Sequence, residues 1–403
     1  MIWDYIFPAI FGTAILIQLI FLLFVFTAIL KREGSAETEV KSKPLGVSII
    51  VAAWNELDNL KELLPLLDNQ EYPNFEIVVV DDRSSDGTYD YLRTNEGAYK
   101  NLSFVNVKAL PEHFTAKKYA VTMGIKKATK EVILLTDADC RPLSKNWIKE
   151  MVAKLSDGKE VVLGFSPYNK YPGILNAFIR YETFQTALQY MSFAKVGIPF
   201  MGVGRNLMYR RECFWQNKGF STHMGLLSGD DDLFINEVSK GSNTEIALNY
   251  DSYVSSEPKT TFDSWVTQKR RHLSVGKKYK ARDKFSIAML WLSFLACWFF
   301  IIPAFVSEPS WFVLPDWMRV SEQWLDEIGW QQYLPYTNWM RVVTGVFISW
   351  LLLRWLILSL TNKKLGLTVS SGKILLLDFL YFTYLVVFGI MSLFSNPKKI
   401  KWR

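Results

Sequence analysis

The sequence Val132-Ile133-Leu134-Leu135-Thr136-Asp137-Ala138-Asp139 places two carboxylates directly after a run of apolar residues. With Glu131, this run has the length and β-branched content of a buried strand. Asp-x-Asp alone is common in solvated turns, but its position directly after an apolar strand favours a binding site. One carboxylate can then face a sugar or ribose while the other reaches a metal ion that bridges two phosphates.

Three similar strand patterns precede this segment, and helical patterns separate them. The predicted strands are Val47–Ala53, Phe75–Val80, Leu102–Val107 and Glu131–Thr136. Helical patterns follow the first strand through Leu57 to Leu67, follow the turn at Gly87, and cover about Tyr119 to Ala128. This alternation predicts an α/β fold with a mostly parallel sheet flanked by helices on both faces.

Acidic and amide residues follow three of these strands. They are Asn55, Glu56, Asp81, Asp82, Asp137 and Asp139. Ligands of such sheets bind beyond the carboxyl ends of the strands, so these side chains are expected to converge on one edge. An acidic edge suits a phosphate ligand only if a divalent cation mediates, and oxygen ligands favour Mg²⁺ or Mn²⁺.

Apolar residues are concentrated at the two ends of the 403-residue chain, of which 50% is hydrophobic. The uncharged run Phe7–Leu30 is long enough to cross a membrane, and Lys31 and Arg32 after it predict a cytoplasmic soluble domain. Three further spans are predicted at Phe285–Val306, Val342–Leu360 and Ile374–Phe394. The predicted division is an N-terminal transmembrane helix (1–32), a cytoplasmic domain (43–283) and a C-terminal transmembrane region (284–403) with an acidic, Trp-rich external loop (307–340).

Two charges lie inside the predicted C-terminal spans. Arg354 and Asp378 fall at similar depth if the last two spans form an antiparallel hairpin, so we predict that they pair. Four spans place the basic tail 398–403 outside, against the usual charge bias. Either this bias is overridden or one apolar segment lies in the membrane interface.

The formal net charge of +7 is explained by cations beside the apolar segments. These are Lys277, Lys278, Lys280, Arg282, Lys284, Lys398, Lys399, Lys401 and Arg403. We interpret them as contacts with anionic lipid headgroups and as topology signals, and expect no nucleic-acid partner. Cys140, Cys213 and Cys297 are too few and too scattered for a disulfide or zinc framework.

From Val47 to His272 the chain resembles the family 2 glycosyltransferases with a GT-A fold. Val47-Ser48-Ile49-Ile50-Val51-Ala52-Ala53-Trp54-Asn55-Glu56 resembles the opening strand, with Ala52 where proline is usual. Val80-Asp81-Asp82-Arg83-Ser84-Ser85-Asp86-Gly87-Thr88 is similar to the nucleotide-binding turn. Lys117 matches the lysine before the central helix, and Thr136-Asp137-Ala138-Asp139 matches the Asp-x-Asp motif.

The resemblance continues into three downstream segments. Gly202-Val203-Gly204-Arg205-Asn206 resembles the acceptor-side segment, and Ser228-Gly229-Asp230-Asp231-Asp232-Leu233 the segment that supplies the general base. Gln268-Lys269-Arg270-Arg271-His272 resembles the Gln-x-x-Arg-Trp motif of membrane synthases, with His272 in place of tryptophan. Motif alignment leaves Asp230 and Asp231 open as the base, and we favour Asp230.

The resemblance implies an inverting, metal-dependent transfer of a sugar from a nucleoside-diphosphate sugar, expected to be a UDP-sugar, to a membrane-associated or lipid-linked acceptor. Implied catalytic residues are Asp230, Asp231, Gln268 and Arg271, and implied metal ligands are Asp139 and Asp137 with Mn²⁺ or Mg²⁺. Implied substrate-binding residues are Asn55, Glu56, Asp81, Asp82, Lys117, Asp137, Asn206, Asp232 and His272. The alternatives are a processive polysaccharide synthase, disfavoured by His272, and a non-catalytic sugar-binding subunit, disfavoured by the intact acidic positions.

Overall fold

The computed structural model describes residues 2–31, 44–156, 158–273, 275–307, 309, 338–366 and 368–394. The strands are β1 Val47–Ala53, β2 Phe75–Asp82, β3 Leu102–Val107, β4 Val132–Asp137, β5 Cys140–Pro142, β6 Val161–Leu163, β7 Leu207–Arg210, β8 Thr244–Ile246 and β9 Val254–Ser256.

The helices of the domain between the apolar ends are α2 Leu57–Asp68, α3 Thr88–Asn95, α4 Ala116–Lys127, α5 Trp147–Val152, α6 Ile174–Lys195, α7 Arg211–Gln216, α8 Asp232–Val238 and α9 Phe262–Leu273. Those of the apolar ends are α1 Trp3–Ile20, which continues as the π-helical turn Phe21–Val25 and the 3-10 turn Phe26–Leu30, α10 Ala281–Phe299, α11 Ile301–Val306, α12 Asn338–Lys364 and α13 Ile374–Phe394.

Seven of the strands form one sheet in the order β3-β2-β1-β4-β7-β6-β8. The four strands predicted from sequence are its parallel half, and β7 joins them antiparallel to both β4 and β6. Nearly every residue of β1, β2 and β4 is buried because helices cover both faces. The predicted α/β fold with a mostly parallel sheet is confirmed.

Helix α6 links this sheet to the apolar helices and is buried along most of its length. Its polar side chains bond to other elements: Gln189 donates to the hydroxyl of Tyr381 at 3.2 Å, and Lys269 of α9 pairs with Glu182. Trp291 of α10 donates in turn to Gln189 at 3.1 Å. The helix therefore joins the domain that contains the sheet to α10 and α13 through polar contacts.

Three helices are long and apolar enough to cross a membrane: Trp3–Leu30, Asn338–Lys364 and Ser371–Met391. Two of the three predicted C-terminal spans are thus found. The predicted span Phe285–Val306 is divided into α10 and α11 at Phe300, and Pro303 supplies the reason because it lacks the N–H that would continue the helical ladder. Most of the predicted external loop 307–340, and all of the basic tail, lie outside the described residues.

The predicted pair between Arg354 and Asp378 is confirmed. Nε of Arg354 donates to Oδ2 of Asp378 at 2.6 Å, and Nη2 donates to Oδ1 at 2.8 Å. The hydroxyl of Tyr181 on α6 donates to the same carboxylate at 2.7 Å, and Gln18 of α1 accepts from Arg354 at 3.4 Å. One buried polar cluster therefore joins α1, α6, α12 and α13.

Reversing one charge of this cluster is expected to destabilise the protein strongly. Arg354→Asp or Asp378→Arg should lower the free energy of unfolding by about 3–5 kcal/mol, because each leaves a buried charge without its partner. The double variant should recover a large part of this loss. Thermal melting in detergent measures the effect, and Lys364→Asp at the exposed end of α12 is the control for a charge reversal. If the double variant is no more stable than the less stable of the two single variants, the pairing is contradicted.

Candidate active site

The carboxyl ends of β1, β2 and β4 bring the predicted acidic residues to one edge of the sheet. The parallel register sets Asp81 beside Ala53 and Asp137 beside Ala52. The two carboxylates thus flank the last residues of the central strand. The strand order, which puts β1 between β2 and β4, is the reason that these residues lie close together.

The turns after β1 and β2 are hydrogen-bonded to each other. The backbone N–H of Asn55 donates to Ser84 Oγ at 2.9 Å, and the N–H of Ser85 donates to Asn55 Oδ1 at 2.8 Å. Asp86 accepts from the N–H of Leu57 at 3.0 Å. Burial raises the pKa of Asp86, but hydrogen bonds from Thr88 and Leu57 outweigh it, so the pKa is lowered. The amide of Asn55 is therefore engaged in holding the turn.

Asp81 and Asp82 are almost completely buried at the end of β2. Asp81 accepts from the N–H of Ser84 at 3.3 Å. Asp82 is bound by both Nε and Nη2 of Arg83, at 2.8 and 3.2 Å. Arg83 has a left-handed backbone conformation, which turns its side chain back onto Asp82. The structure thus brings both aspartates to the predicted edge and gives each a partner.

The Asp-x-Asp segment forms a compact group of metal-ligating atoms. The carboxylates of Asp137 and Asp139 and the thiol of Cys140 offer ligand atoms that lie within 4.8 Å of one another. Burial and the charge of Asp137 raise the pKa of Asp139. Burial and the nearby charges of Asp139 and Asp137 raise the pKa of the Cys140 thiol well above its usual value. The two carboxylates therefore fit a hard divalent cation better than the protonated thiol does.

Glu56 belongs to the same acidic group. Burial raises its pKa, and Asp139, Asp137 and Asp86 add to the effect, although a hydrogen bond from Asn59 at 2.6 Å opposes it. A bound cation would relieve the mutual repulsion of these carboxylates.

Lys117 connects the Asp-x-Asp segment to the downstream aspartates. Its Nζ lies 2.9 Å from Oδ1 of Asp137 and 3.3 Å from Oδ2 of Asp230. Burial tends to lower its pKa, but Asp137, Asp230 and Asp231 outweigh burial and raise it. A permanently charged ammonium group therefore sits between the carboxylates of two segments distant in sequence.

The three consecutive aspartates at the start of α8 have different environments. Asp231 accepts from the backbone N–H of Gly204 at 2.7 Å and of Asp232 at 2.8 Å. Asp232 accepts from the hydroxyl of Tyr279 at 3.0 Å and from the N–H of Leu233 at 2.9 Å. Burial and the charge of Asp231 raise the pKa of Asp232 well above its usual value.

Asp230 differs from its two neighbours because its side chain, 14% exposed, pairs with Lys117. Burial raises its pKa, but the charges of Lys117 and Lys118 outweigh burial and lower it. Asp230 is therefore ionised at neutral pH. Of the three aspartates, it is the one held by a side-chain cation within the cleft.

Lys118 is a residue whose contribution the sequence did not reveal. It is buried, and its Nζ donates to the carbonyls of Leu226 at 2.5 Å and Ser228 at 2.7 Å. Burial lowers its pKa to about 8, against the opposing charges of Asp230, Asp232 and Asp231. In sequence, the Lys-Lys pair at the start of a helix is typical of an exposed face. In the structure, the second lysine fixes the loop that precedes Asp230.

Asn206 was predicted to bind substrate, and its position does not fit that role. It is fully buried. Its Oδ1 accepts from Trp147 Nε1 at 3.0 Å, and its Nδ2 donates to the carbonyls of Phe165 and Ser252, each at 2.8 Å. Both amide hydrogens are thus used inside the protein. The residue joins the sheet to neighbouring loops.

Replacing Asn206 by alanine is expected to lower stability and leave the affinity of the folded fraction for ligands unchanged. The change leaves buried polar groups of Trp147, Phe165 and Ser252 without partners, at a cost of about 1–3 kcal/mol for each unsatisfied group. Thermal melting and ligand titration of the same sample measure the two effects. A normal melting temperature with weakened ligand binding supports the original substrate-binding prediction instead.

Helix α9 carries the predicted Gln-x-x-Arg residues. Gln268 donates to the hydroxyl of Tyr168 at 3.4 Å. Desolvation by the surrounding protein lowers the pKa of His272, and the charges of Lys269 and Arg271 lower it further. Its ring is therefore neutral. Helix α9 thus reaches the ring of Tyr168, on which the guanidinium of Arg205 stacks.

A family model supports the sequence-based resemblance. The model described as Glycosyl transferase family 2 matches residues 48–217, from β1 to the end of α7. This part of the chain is a family 2 glycosyltransferase domain. The match includes Lys117, Asp137 and Asp139, whereas Asp230 and α9 lie beyond it.

Similar proteins are also glycosyltransferases. The chain is 24% identical over 282 residues to Glycosyltransferase AglE of Haloferax volcanii, covering 68% of this chain and 86% of that protein. It is 31% identical over 121 residues to Dolichol-phosphate mannosyltransferase of Pyrococcus furiosus, covering 29% of this chain and 32% of that protein. These similarities and the family match identify the chain as a glycosyltransferase.

A solved structure has the same fold. Mannosyltransferase PcManGT from Pyrobaculum calidifontis, in complex with GDP-Man and Mn²⁺, aligns with a TM-score of 0.55 at 19% identity. The alignment covers 87% of this chain and 98% of that chain. The predicted GT-A architecture is thereby confirmed.

Proposed function

We propose that the chain is an inverting, metal-dependent glycosyltransferase that moves a sugar from a nucleoside-diphosphate sugar to a membrane-associated or lipid-linked acceptor. The observation that carries the proposal is the position of Lys117 between Asp137 and Asp230. This contact supports a shared site for the Asp-x-Asp carboxylates and the candidate base. A displacement reaction at the anomeric carbon needs both groups there.

Asp230 is the proposed general base. Its carboxylate is ionised and pairs with Lys117, whereas that of Asp231 accepts from the backbone N–H groups of Gly204 and Asp232. It accepts the proton of the acceptor hydroxyl as the new glycosidic bond forms. Lys117 orients it and places positive charge beside the departing diphosphate.

Asp139 and Asp137 are the proposed metal ligands. A bound divalent ion supplies charge neutralisation for the diphosphate. The carboxylate of Glu56 lies near enough for the charges of Asp139 and Asp137 to raise its pKa. Asp81 and Asp82 at the end of β2 are proposed to border the base or ribose of the nucleotide, and Gln268, Arg271 and His272 to border the diphosphate and the acceptor.

A donor screen tests the proposal. The purified protein is melted with UDP-sugars, which the sequence led us to expect, and with GDP-mannose, which PcManGT binds, each with Mn²⁺, with Mg²⁺ and with EDTA. We expect one donor to raise the melting temperature only when the metal is present. Proton NMR of the product from that donor should show an inverted anomeric configuration. Retention of configuration, or stabilisation that EDTA does not remove, contradicts the proposal.

We further propose that residues 43–283 form a cytoplasmic domain attached to an integral membrane region, with membrane lipids as partners. Three helices that can cross a membrane support the attachment. The contacts of α6 with α13, from Tyr181 to Asp378 and from Gln189 to Tyr381, join the two parts. Labelling of single cysteines placed in α3 and after α13 by an impermeant reagent, in intact and in permeabilised cells, tests the proposed side.

Single transfer is proposed in preference to polymer synthesis. The space where α6, α12 and α13 meet is filled by Arg354, Asp378 and the buried ring of Tyr181. A polymer path along these helices would require this packed cluster to open. Mass spectrometry of the product gives the decisive measurement: one added sugar supports single transfer, and a ladder of additions supports a processive synthase.

A further inference from the structure

Arg205 places a positive charge beside the acidic site without a direct ion pair. Its Nη1 atom is buried and has no hydrogen-bond partner among the residues that the structure describes. Within the same part of the chain, no carboxylate forms an ion pair with its guanidinium. Burial tends to lower its pKa, but the nearby groups Tyr168, Cys140, Asp139 and Asp137 outweigh burial and raise it. A buried cation without a contacting anion is costly unless a ligand supplies one.

The fold fixes the position of this arginine from two sides. Strand β7 pairs antiparallel with β4, with Leu207 opposite Leu135. The 3-10 turn Gly204–Asn206 leads directly into β7 and contacts β4, which ends at Asp137. The carboxylate of Asp137 is paired with Lys117 instead. On the other side, the ring of Tyr168 lies under the guanidinium at 4.4 Å.

The ring of Tyr168 also connects Arg205 to helix α9. The tyrosine hydroxyl accepts from Gln268 at 3.4 Å. Stacking on an aromatic ring leaves the edge of a guanidinium free, and that edge carries the N–H donors. The arginine is therefore held between the Asp-x-Asp group and α9 with donors that can bind an anion.

We propose that Arg205 binds the diphosphate of the donor, at the phosphate whose bond to the sugar breaks. This inference rests on the proposed glycosyltransferase reaction. In that reaction the acceptor oxygen bonds to the anomeric carbon, the bond from this carbon to the phosphate oxygen breaks, and its electron pair stays on that oxygen. The acceptor proton passes to Asp230, so Arg205 gives up no proton. Its fork of N–H donors matches two phosphate oxygens.

Calorimetric titration of the full-length protein in detergent with Mn²⁺ tests this role. The ligands are UDP or GDP, whichever binds the wild type, and the matching nucleoside monophosphate. The monophosphate lacks the phosphate that is bonded to the sugar in the donor. The variants are Arg205→Gln, Tyr168→Leu and Tyr168→Phe, and Arg93→Gln on the exposed side of α3 is the control for loss of an arginine.

We expect Arg205→Gln to weaken diphosphate binding about ten-fold or more, the effect of losing a charged hydrogen bond. Monophosphate binding should be unchanged, which also shows that the variant is folded. Tyr168→Leu should weaken diphosphate binding in the same direction, while Tyr168→Phe and Arg93→Gln should bind as the wild type does.

Three outcomes distinguish a failure of the proposed function from a failure of the Arg205 assignment. If the wild type binds neither diphosphate, the proposed function itself is contradicted. If the wild type binds and Arg205→Gln binds the diphosphate equally well, the assignment of Arg205 is overturned while the proposed function stands. If the variant binds the diphosphate normally but needs a higher concentration of acceptor for half-maximal transfer, the arginine serves a phosphate of the acceptor, and the assignment is again overturned.

Discussion

Replacing Asp230 by asparagine is expected to lower kcat by about 10²- to 10⁴-fold and to leave binding of the nucleoside diphosphate with Mn²⁺ largely intact. The loss is the usual contribution of a positioned base to proton transfer. The asparagine keeps the size of the side chain but cannot accept the acceptor proton. Single-turnover measurements with bound donor isolate this step from binding.

Asp231→Asn is the matched comparison, because the two residues are adjacent and chemically identical. The oxygens of Asp231 accept from the N–H groups of Gly204 and Asp232. The side chain of an asparagine has only one acceptor oxygen. One of these two backbone N–H groups would therefore face an NH2 group, which cannot accept its hydrogen bond. We therefore expect a lower melting temperature with a smaller effect on kcat in the folded fraction. Equal losses of kcat in both variants, or normal transfer by Asp230→Asn, contradict the assignment.

The strands that form the site were predictable because each is a short apolar run followed at once by polar residues. Buried parallel strands have this pattern. Because helices connect them, they run in the same direction, and their carboxyl ends lie at one edge of the sheet. The pair of Arg354 and Asp378 was predictable from helical rise alone, since a charge in an apolar span needs a partner at its own depth. Strands β6, β8 and β9, with three residues each, are too short to show a period.

Helix α6 was not predicted because its burial has no single face. Apolar and polar residues both point into protein, and Glu182 and Gln189 find partners on α9, α10 and α13. A periodicity argument expects one apolar stripe and one solvated face. The segment has neither, since it lies between the sheet and the apolar helices.

Details of the site depend on contacts that sequence does not encode locally. Asp230 and Asp231 cannot be distinguished by residue type; the N–H of Gly204 and the ammonium of Lys117 give them different environments. Asn206 lies in a motif-like segment, yet its amide is used by buried partners. Arg205, its neighbour, was passed over because its contact with Tyr168 forms only in the fold.

Removing the metal, or its proposed ligand Asp139, is expected to have an effect of the same order as loss of the base. Stabilisation of a departing diphosphate by a divalent ion amounts to several kcal/mol, which corresponds to about 10²- to 10⁴-fold in rate. EDTA should therefore abolish transfer, and added Mn²⁺ or Mg²⁺ should restore it. Asp139→Asn should remain slow at any metal concentration, and its titration with nucleoside diphosphate should no longer depend on Mn²⁺.

Cys140→Ala distinguishes a metal site made of carboxylates from one that includes the thiol. The sulfur lies close to Asp139 and Asp137, but burial and these charges keep it protonated. A protonated thiol is a poor ligand for a hard cation, so the variant should keep the Mn²⁺ dependence of the wild type. If Cys140→Ala loses that dependence while Asp139→Asn keeps it, the ligand set is wrong. If neither variant nor EDTA alters diphosphate binding, the acidic edge binds its ligand without a metal. The positive charge must then come from Lys117, Arg205 and Arg271.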